Sequence, residues 1–282
     1  GAPAPGAVVQ GRVSSGVRDM KAFGGTVFLA RGDHVMSVDA SDPASPATLD
    51  ELQLDSAVWE IDEAFGILAV AQDYAVALVD AGNPSDMVLL GQSPACGRPL
   101  AVEIAGDAAY FLTQLGIGEI DIRDPCSPHV ARFSWLIRDR PGAWQVVPED
   151  PALCDYISAE EDMLCDLFRC PGATERGFDA AAGKVFLTAM KDLIIVDLSG
   201  PQHGLDSVTR LEDRATALRY ENGYVYLNLK GHGTAVYDVS DSMAPVPAGT
   251  HDLTEWVDGV EYENGRAYRL RGRIVEFARW DD

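Results

Sequence analysis

The chain has 282 residues, 47% of them apolar, and carries a formal net charge of −22 from 44 acidic and 22 basic residues. So acidic a composition opposes nonspecific binding to nucleic acid or an anionic membrane, both of which require a basic surface. No apolar run approaches the roughly 20 residues that cross a bilayer, so no transmembrane segment is expected.

In chain order, Gly1–Gly6 (GAPAPG) is a small Pro/Gly leader. It lacks the basic and apolar regions of a signal peptide, so any such signal is expected to have been removed already. Ala7–Val13 (AVVQGRV) reads as a strand that belongs to no repeating unit. From Val17 onward one pattern recurs: four short strands joined by tight turns. Unit one has strands at Val17–Phe23, Thr26–Ala30, Val35–Ala40 and Ala47–Leu52; unit two at Ala57–Glu63, Ile67–Ala71, Ala75–Val79 and Met87–Gln92. Unit three has Leu100–Ala105, Ala108–Thr113, Ile117–Ile122 and Val130–Leu136. Units four and five follow the scheme over 176–211 and 215–250, and the last unit has only three strands, ending at Phe277.

The third strand of each of the first five units ends in the same phrase, an apolar run, an Asp and a turn. The aspartates are Asp39, Asp80, Asp121, Asp197 and Asp238, separated by 41, 41, 76 and 41 residues. A fixed period near 40 with four strands per period predicts a β-propeller. The orphan strand at the start supplies the strand missing from the last unit, which closes the ring and covers its open edge. The fold expected is therefore all-β, a single six-bladed propeller over 1–282. Because 76 is nearly two periods, seven blades are the alternative.

The phrases, especially Leu193–Asp197 (LIIVD) and Val35–Pro46, resemble the LVIVD-repeat family of bacterial secreted and surface proteins. The resemblance covers most of Val17–Phe277. It implies a β-propeller, usually exported and often anchored to a membrane by a lipid at the mature N-terminus, and it transfers no catalytic residue. The chain departs from the pattern at Glu276, which stands where the repeated Asp should be, and at a surplus between units three and four.

That surplus, 138–175, reads as an inserted helical loop, because Ser158–Glu161 forms a capping box for a short helix through Phe168. It carries Cys154, Cys165 and Cys170. Topology puts Cys96 on the same face and Cys126 on the opposite one. The expectation is two disulfides among Cys96, Cys154, Cys165 and Cys170, a free Cys126, and an oxidising, extracytoplasmic location.

A function is expected where the insertion lies, around the mouth of the channel. Arg18, Arg98, Arg176 and Arg214, with Trp59 and Trp256, stand where the chain enters the first strand of successive units. Two readings remain: a ligand-binding mouth, or Arg residues that pair with the interleaved acids and brace the blades. The repeated aspartates read as turn supports, since a catalytic group is needed once and a turn support in every unit. No metal site is expected: the histidines lack ligand spacing, and Cys154, Cys165 and Cys170 do not pair like zinc ligands. No cofactor and no catalytic residue are identified. The functional expectation is a monomeric, noncatalytic binder of a protein, peptide or glycan, with a hydrolase or lyase acting on an anionic substrate in the Arg-lined mouth as the alternative.

Overall fold

A computed structural model describes residues 8–42, 44–140, 142–154, 173–181, 183–229, 233–251, 259–263, 266–271 and 274–279. It begins with β1 (Val8–Ser15), followed by β2 (Val17–Phe23), β3 (Thr26–Arg31), β4 (His34–Asp39) and β5 (Ala47–Gln53). β6 (Val58–Ala64), β7 (Ile67–Gln72), β8 (Ala75–Asp80) and β9 (Val88–Pro94) form the next sheet. The third comprises β10 (Pro99–Ala105), β11 (Ala108–Thr113), β12 (Gly116–Asp121), β13 (His129–Arg140) and β14 (Ala143–Glu149). Then come β15 (Ala173–Ala181), β16 (Lys184–Ala189), β17 (Asp192–Asp197) and β18 (Gly204–Arg210), and after them β19 (Ala215–Glu221), β20 (Tyr224–Leu229), β21 (Gly233–Asp238) and β22 (Val246–His251). The last sheet has β23 (Gly259–Glu263), β24 (Arg266–Arg271) and β25 (Ile274–Arg279), with β1 on its edge.

All pairings are antiparallel, and all join chain neighbours except that of β1 with β25, where Val8 faces Arg279 and Ser15 faces Ile274. The expected use of the first strand to complete the last sheet is thus observed, with the strand at Val8–Ser15 rather than Ala7–Val13. The first strands of consecutive sheets pack together, β2 on β6, β6 on β10, β10 on β15 and β15 on β19, and β2 also packs on β23. This is an all-β, propeller-like arrangement.

The sheets stack face to face, so their two middle strands are covered on both sides. That is why β7 (ILAVAQ) and β17 (DLIIVD) read as nearly continuous apolar runs instead of alternating. Each core cluster lies between neighbours. Phe28, Val35, Ile61 and Val70 fill the space between the first two sheets, and Phe186, Leu193, Leu218 and Leu227 that between the fourth and fifth. The outer strands β5 and β18 are largely exposed or half-buried.

The repeated aspartates are turn supports. Asp39, Asp80, Asp121, Asp197 and Asp238 each accept, through Oδ1, the backbone N–H two residues on, at 2.8–3.1 Å. The turns also latch neighbouring sheets. The Met87 N–H donates to Asp50 Oδ2 at 2.7 Å, and Ser242 Oγ donates to Asp206 Oδ2 at 2.7 Å. Arg132 donates to the carbonyls of Leu198 and Gly200 in the fourth turn.

The surplus over 138–175 begins differently from the expectation. Residues 138–140 extend β13, and 143–149 form a fifth strand on the third sheet. Trp135, Leu136 and Trp144 give this hairpin enough apolar surface to pair and pack, which a solvated helix would not use. A single 3-10 turn, Pro151–Leu153, follows. The expected helix and its capping box at Ser158–Glu161, with Cys165 and Cys170, lie outside the described residues.

Candidate functional site

The face carrying the approaches to the first strands holds a compact group at the junction of the first three sheets. Trp59 on β6 is half-buried, and its indole N–H donates to Asp73 Oδ1 at 2.8 Å, in the turn between β7 and β8. Two guanidiniums lie over this indole: that of Arg18, 3.9 Å from the ring centroid, and that of Arg98, at 4.4 Å. Arg18 is fixed further by donation to the Val58 carbonyl at 3.0 Å. A buried disulfide, Cys96–Cys154, sits beside the group and ties the end of the β13–β14 hairpin to the approach to β10. Trp59 and Trp135 both pack against the cluster containing these cysteines, and the Trp135 indole donates to Glu149 Oε2 at 2.8 Å.

Three of the six residues expected at the mouth therefore form one unit: Arg18, Trp59 and Arg98. Arg214 is exposed before β19, where its backbone N–H donates to Asp213 Oδ1. Arg176 falls in β15, but its side chain lies outside the described residues, as does Trp256. Of the five cysteines, Cys96 and Cys154 are bridged, and Cys126 is free and exposed. Two other cations on this face, Lys191 and His34, have acidic or carbonyl partners. Lys191 pairs with Asp213 at 3.0 Å and donates to the Glu212 carbonyl, and His34 Nδ1 lies 2.6 Å from Asp33. Bracing thus accounts for these two, while Arg18 and Arg98 build an aromatic platform.

A second constellation lines the axis. Two residues before the end of the first strand, all six sheets carry an ionisable residue: Lys21, Asp62, Glu103, Asp179, Arg219 and Glu261, the last with its side chain outside the described residues. Carboxylates on these strands stitch the first sheet to the second, the second to the third and the fourth to the fifth. The Ile61 N–H donates to Asp19 at 3.0 Å, Val102 to Glu60 at 3.2 Å, Ile104 to Asp62 at 2.7 Å and Tyr220 to Asp179 at 2.7 Å. Lys21 Nζ reaches Asp62 Oδ1 at 2.6 Å. Burial raises Glu103 well above the usual carboxylate range; the negative charge of Asp62 adds to this, and Lys21 opposes it. Glu103 is half-buried, and the surrounding protein governs its ionisation. Asp179 is also raised, mainly by burial, against the opposing Tyr220 N–H and the positive charges of Arg219 and Lys21. These residues escaped sequence reasoning, which looked for cations at strand entrances. Their signal was a charge at one fixed offset inside an otherwise apolar strand.

Among the described residues, no group of three or more His, Cys, Asp or Glu could hold a metal ion, and no helix is long and apolar enough to cross a membrane.

No family model and no curated protein matches the sequence. The fold is nevertheless shared with many solved structures. The computationally designed Ika8 protein aligns with a TM-score of 0.55 at 12% identity, over 93% of this chain and 70% of its own. A chain of the mitotic checkpoint complex aligns at 0.54 and 9% identity, over 99% and 92%. BamB from Moraxella catarrhalis aligns at 0.51 and 10% identity, over 98% and 91%. These similarities are to propeller-like folds and concern the fold alone.

Proposed function

We propose that the chain is an exported six-bladed propeller that binds a protein, peptide or glycan on its disulfide-tethered face without transforming it. The observation that carries this reading is the Arg18–Trp59–Arg98 group, which spans three sheets beside Cys96–Cys154. An indole held by Asp73 and overlaid by guanidiniums is a rigid amphipathic platform. Such platforms suit flat sugar faces, aromatic side chains and carboxylates. The six-blade reading is supported by counting β14 as a fifth strand of the third sheet and β1 as the fourth of the last. Export is supported by the buried disulfide, which persists in oxidising compartments, and by the resemblance to LVIVD-repeat proteins. A lipid anchor and a monomeric state belong to the same reading.

The second reading, a hydrolase or lyase, is favoured by one observation: Glu103 sits with Asp62 and Lys21, and burial raises its carboxyl well above the usual carboxylate range, which is the character of a general acid. One experiment separates the two. The wild-type chain and the variants W59A, R18A/R98A and E103Q are screened on a glycan array and a peptide panel, and against chromogenic glycoside, ester and uronide substrates. Binding that W59A and R18A/R98A lose and E103Q retains is the expected result. Turnover abolished by E103Q and retained by W59A would replace the binding reading with the enzymatic one.

A further inference from the structure

The opposite face, which carries the Asp-turns, also carries the most exposed large hydrophobic side chain among the described residues. Phe65, in the β6–β7 turn, is 84% exposed and has a φ of 58°. That left-handed conformation costs little for glycine and asparagine, and the equivalent turns of other sheets hold Gly24, Gly106 and Asn222 at φ of 62°, 65° and 50°. A bulky aromatic there is neither packed nor conformationally favoured. The adjoining β2–β3 turn presents Phe23, 52% exposed, and Tyr224, 39% exposed, opens β20 on the same face.

Each aromatic stands at a hairpin turn that is bonded to the Asp-turn of its own sheet. The Ala40 N–H donates to the Gly25 carbonyl, Ala81 to Gly66 and Val239 to Gly223, at 2.8–3.0 Å, which ties each hairpin turn to the Asp-turn beside it. Tyr224 is the direct partner of Asp238 across the strands, whereas Asp39 and Asp80 face Thr26 and Ile67, with Phe23 one strand beyond Thr26 and Phe65 in the turn before Ile67. The five Asp-turns, 39–46, 80–87, 121–128, 197–204 and 238–245, contain nine aspartates and one arginine, and that arginine, Arg123, is engaged by Asp121. A side chain seated between an aromatic face and a carboxylate is best a cation, which the ring quadrupole and the ion pair both attract. Arginine adds a planar surface that stacks.

We propose that this face docks a cationic polypeptide segment, whose arginine or lysine side chains lie between Phe23 or Phe65 and the neighbouring turn aspartates. The site is independent of the Trp59 group, which occupies the other face.

The test uses the full chain and a synthetic peptide of alternating Arg and Gly, with a Glu–Gly peptide as its counterpart, followed by calorimetry at fixed salt. The variant F23S/F65G alters no charge, so a general attraction between an acidic protein and a basic peptide leaves it unaffected. Binding of the Arg–Gly peptide alone is expected, weakened about 5-fold or more in F23S/F65G. F65G alone should raise Tm by about 2–4 °C, since glycine relieves the turn; this shows that lost binding is not lost folding. D39N/D80N should weaken binding more than E51Q/D55N, which removes equal charge elsewhere. Equal affinity of wild type and F23S/F65G, or equal effects of the two charge pairs, would overturn the proposal. Self-association in sedimentation that F65G abolishes would also overturn it, by assigning the patch to a second copy of the chain.

Discussion

The two ends of the ring are built by different means. The Asp-turn face is made five times from the same part, an Asx turn that hydrogen-bonds its own backbone, and the second, fourth and fifth of these turns are latched to the neighbouring sheet by side-chain hydrogen bonds. The other face is irregular. Among the described residues its order comes from long-range devices used once: a disulfide, a fifth strand, and an indole overlaid by two guanidiniums from flanking sheets. Local chemistry repeated many times gives a rigid and redundant surface. Single long-range devices give a surface that one substitution can dismantle, which is where a specific site can be placed without disturbing the repeat.

The largest expected effect breaks the irregular face. Cys96 and Cys154 are 58 residues apart in sequence. Closing a loop of that length restricts the unfolded chain by about 4 kcal/mol in the chain-entropy model. C96S/C154S should therefore lose about that much in urea denaturation, and proteolysis should begin near the β13–β14 hairpin. Loss of less than about 1 kcal/mol would mean that the hairpin and Trp135 order this face without the bridge.

Next in size is a test inside the third sheet. A methyl group added at Gly118 would lie 1.9 Å from the Phe111 ring, which is fully buried. G118A should cost about 1–3 kcal/mol through displacement of that ring. F111L, which replaces the ring with a shorter aliphatic side chain, should recover part of the loss when combined with G118A. Purely additive losses would show that the glycine serves the backbone and not the packing.

The axis and the turn face should respond oppositely to pH. Glu103 holds its proton to higher pH folded than unfolded, because of burial first and Asp62 second. Its contribution is complete below the ordinary carboxylate range and is lost as pH rises through its raised value. Asp197 and Asp238 are lowered, chiefly by hydrogen bonds from Ser199 and Ser240, so their contributions are present above the ordinary range and are lost as pH falls. Stability measured from about pH 4 to about pH 8 should show E103Q gaining on the wild type as pH rises. Parallel profiles would mean that Glu103 ionises normally.

How much could be read from the sequence follows the same division. The strand pattern and the turn aspartates were legible because alternation, Asx chemistry and the 41-residue period are local and repeated. The use of Val8–Ser15 to complete the last sheet was legible because one strand was spare and one place empty. The strand β14 was not: AWQVVPE alternates weakly and contains Pro148, and only pairing with the extended β13 makes it a strand. Of the mouth residues, Arg18, Trp59 and Arg98 were identified by type and position, but their stacking on one ring depends on the junction of three sheets. The axial charges were missed because inside an apolar strand a single Lys or Glu reads as an exception, until its phase is compared across units.

The smallest effect separates charge from fold on the Asp-turn face. Each turn needs an acceptor two residues before a backbone N–H, and the carboxylate's charge is incidental to that bond. The second turn shows this directly, since Asn83 Oδ1 accepts from the Ser85 N–H at 3.3 Å where other turns use Asp42, Asp124 and Asp241. D39A and D80A should each cost about 1 kcal/mol, as loss of an analogous capping acceptor does. Their sum should be additive, because they support different turns. D39N and D80N should stay within about 0.5 kcal/mol of the wild type, because the asparagine oxygen replaces the acceptor. The asparagine variants thus remove negative charge from the face while the turns stand. A loss of basic-peptide binding in D39N/D80N without loss of stability would separate what the aspartates do for the fold from what they do for a partner. If asparagine destabilised as much as alanine, the charge itself would be part of the turn, and the two roles could not be separated at these positions.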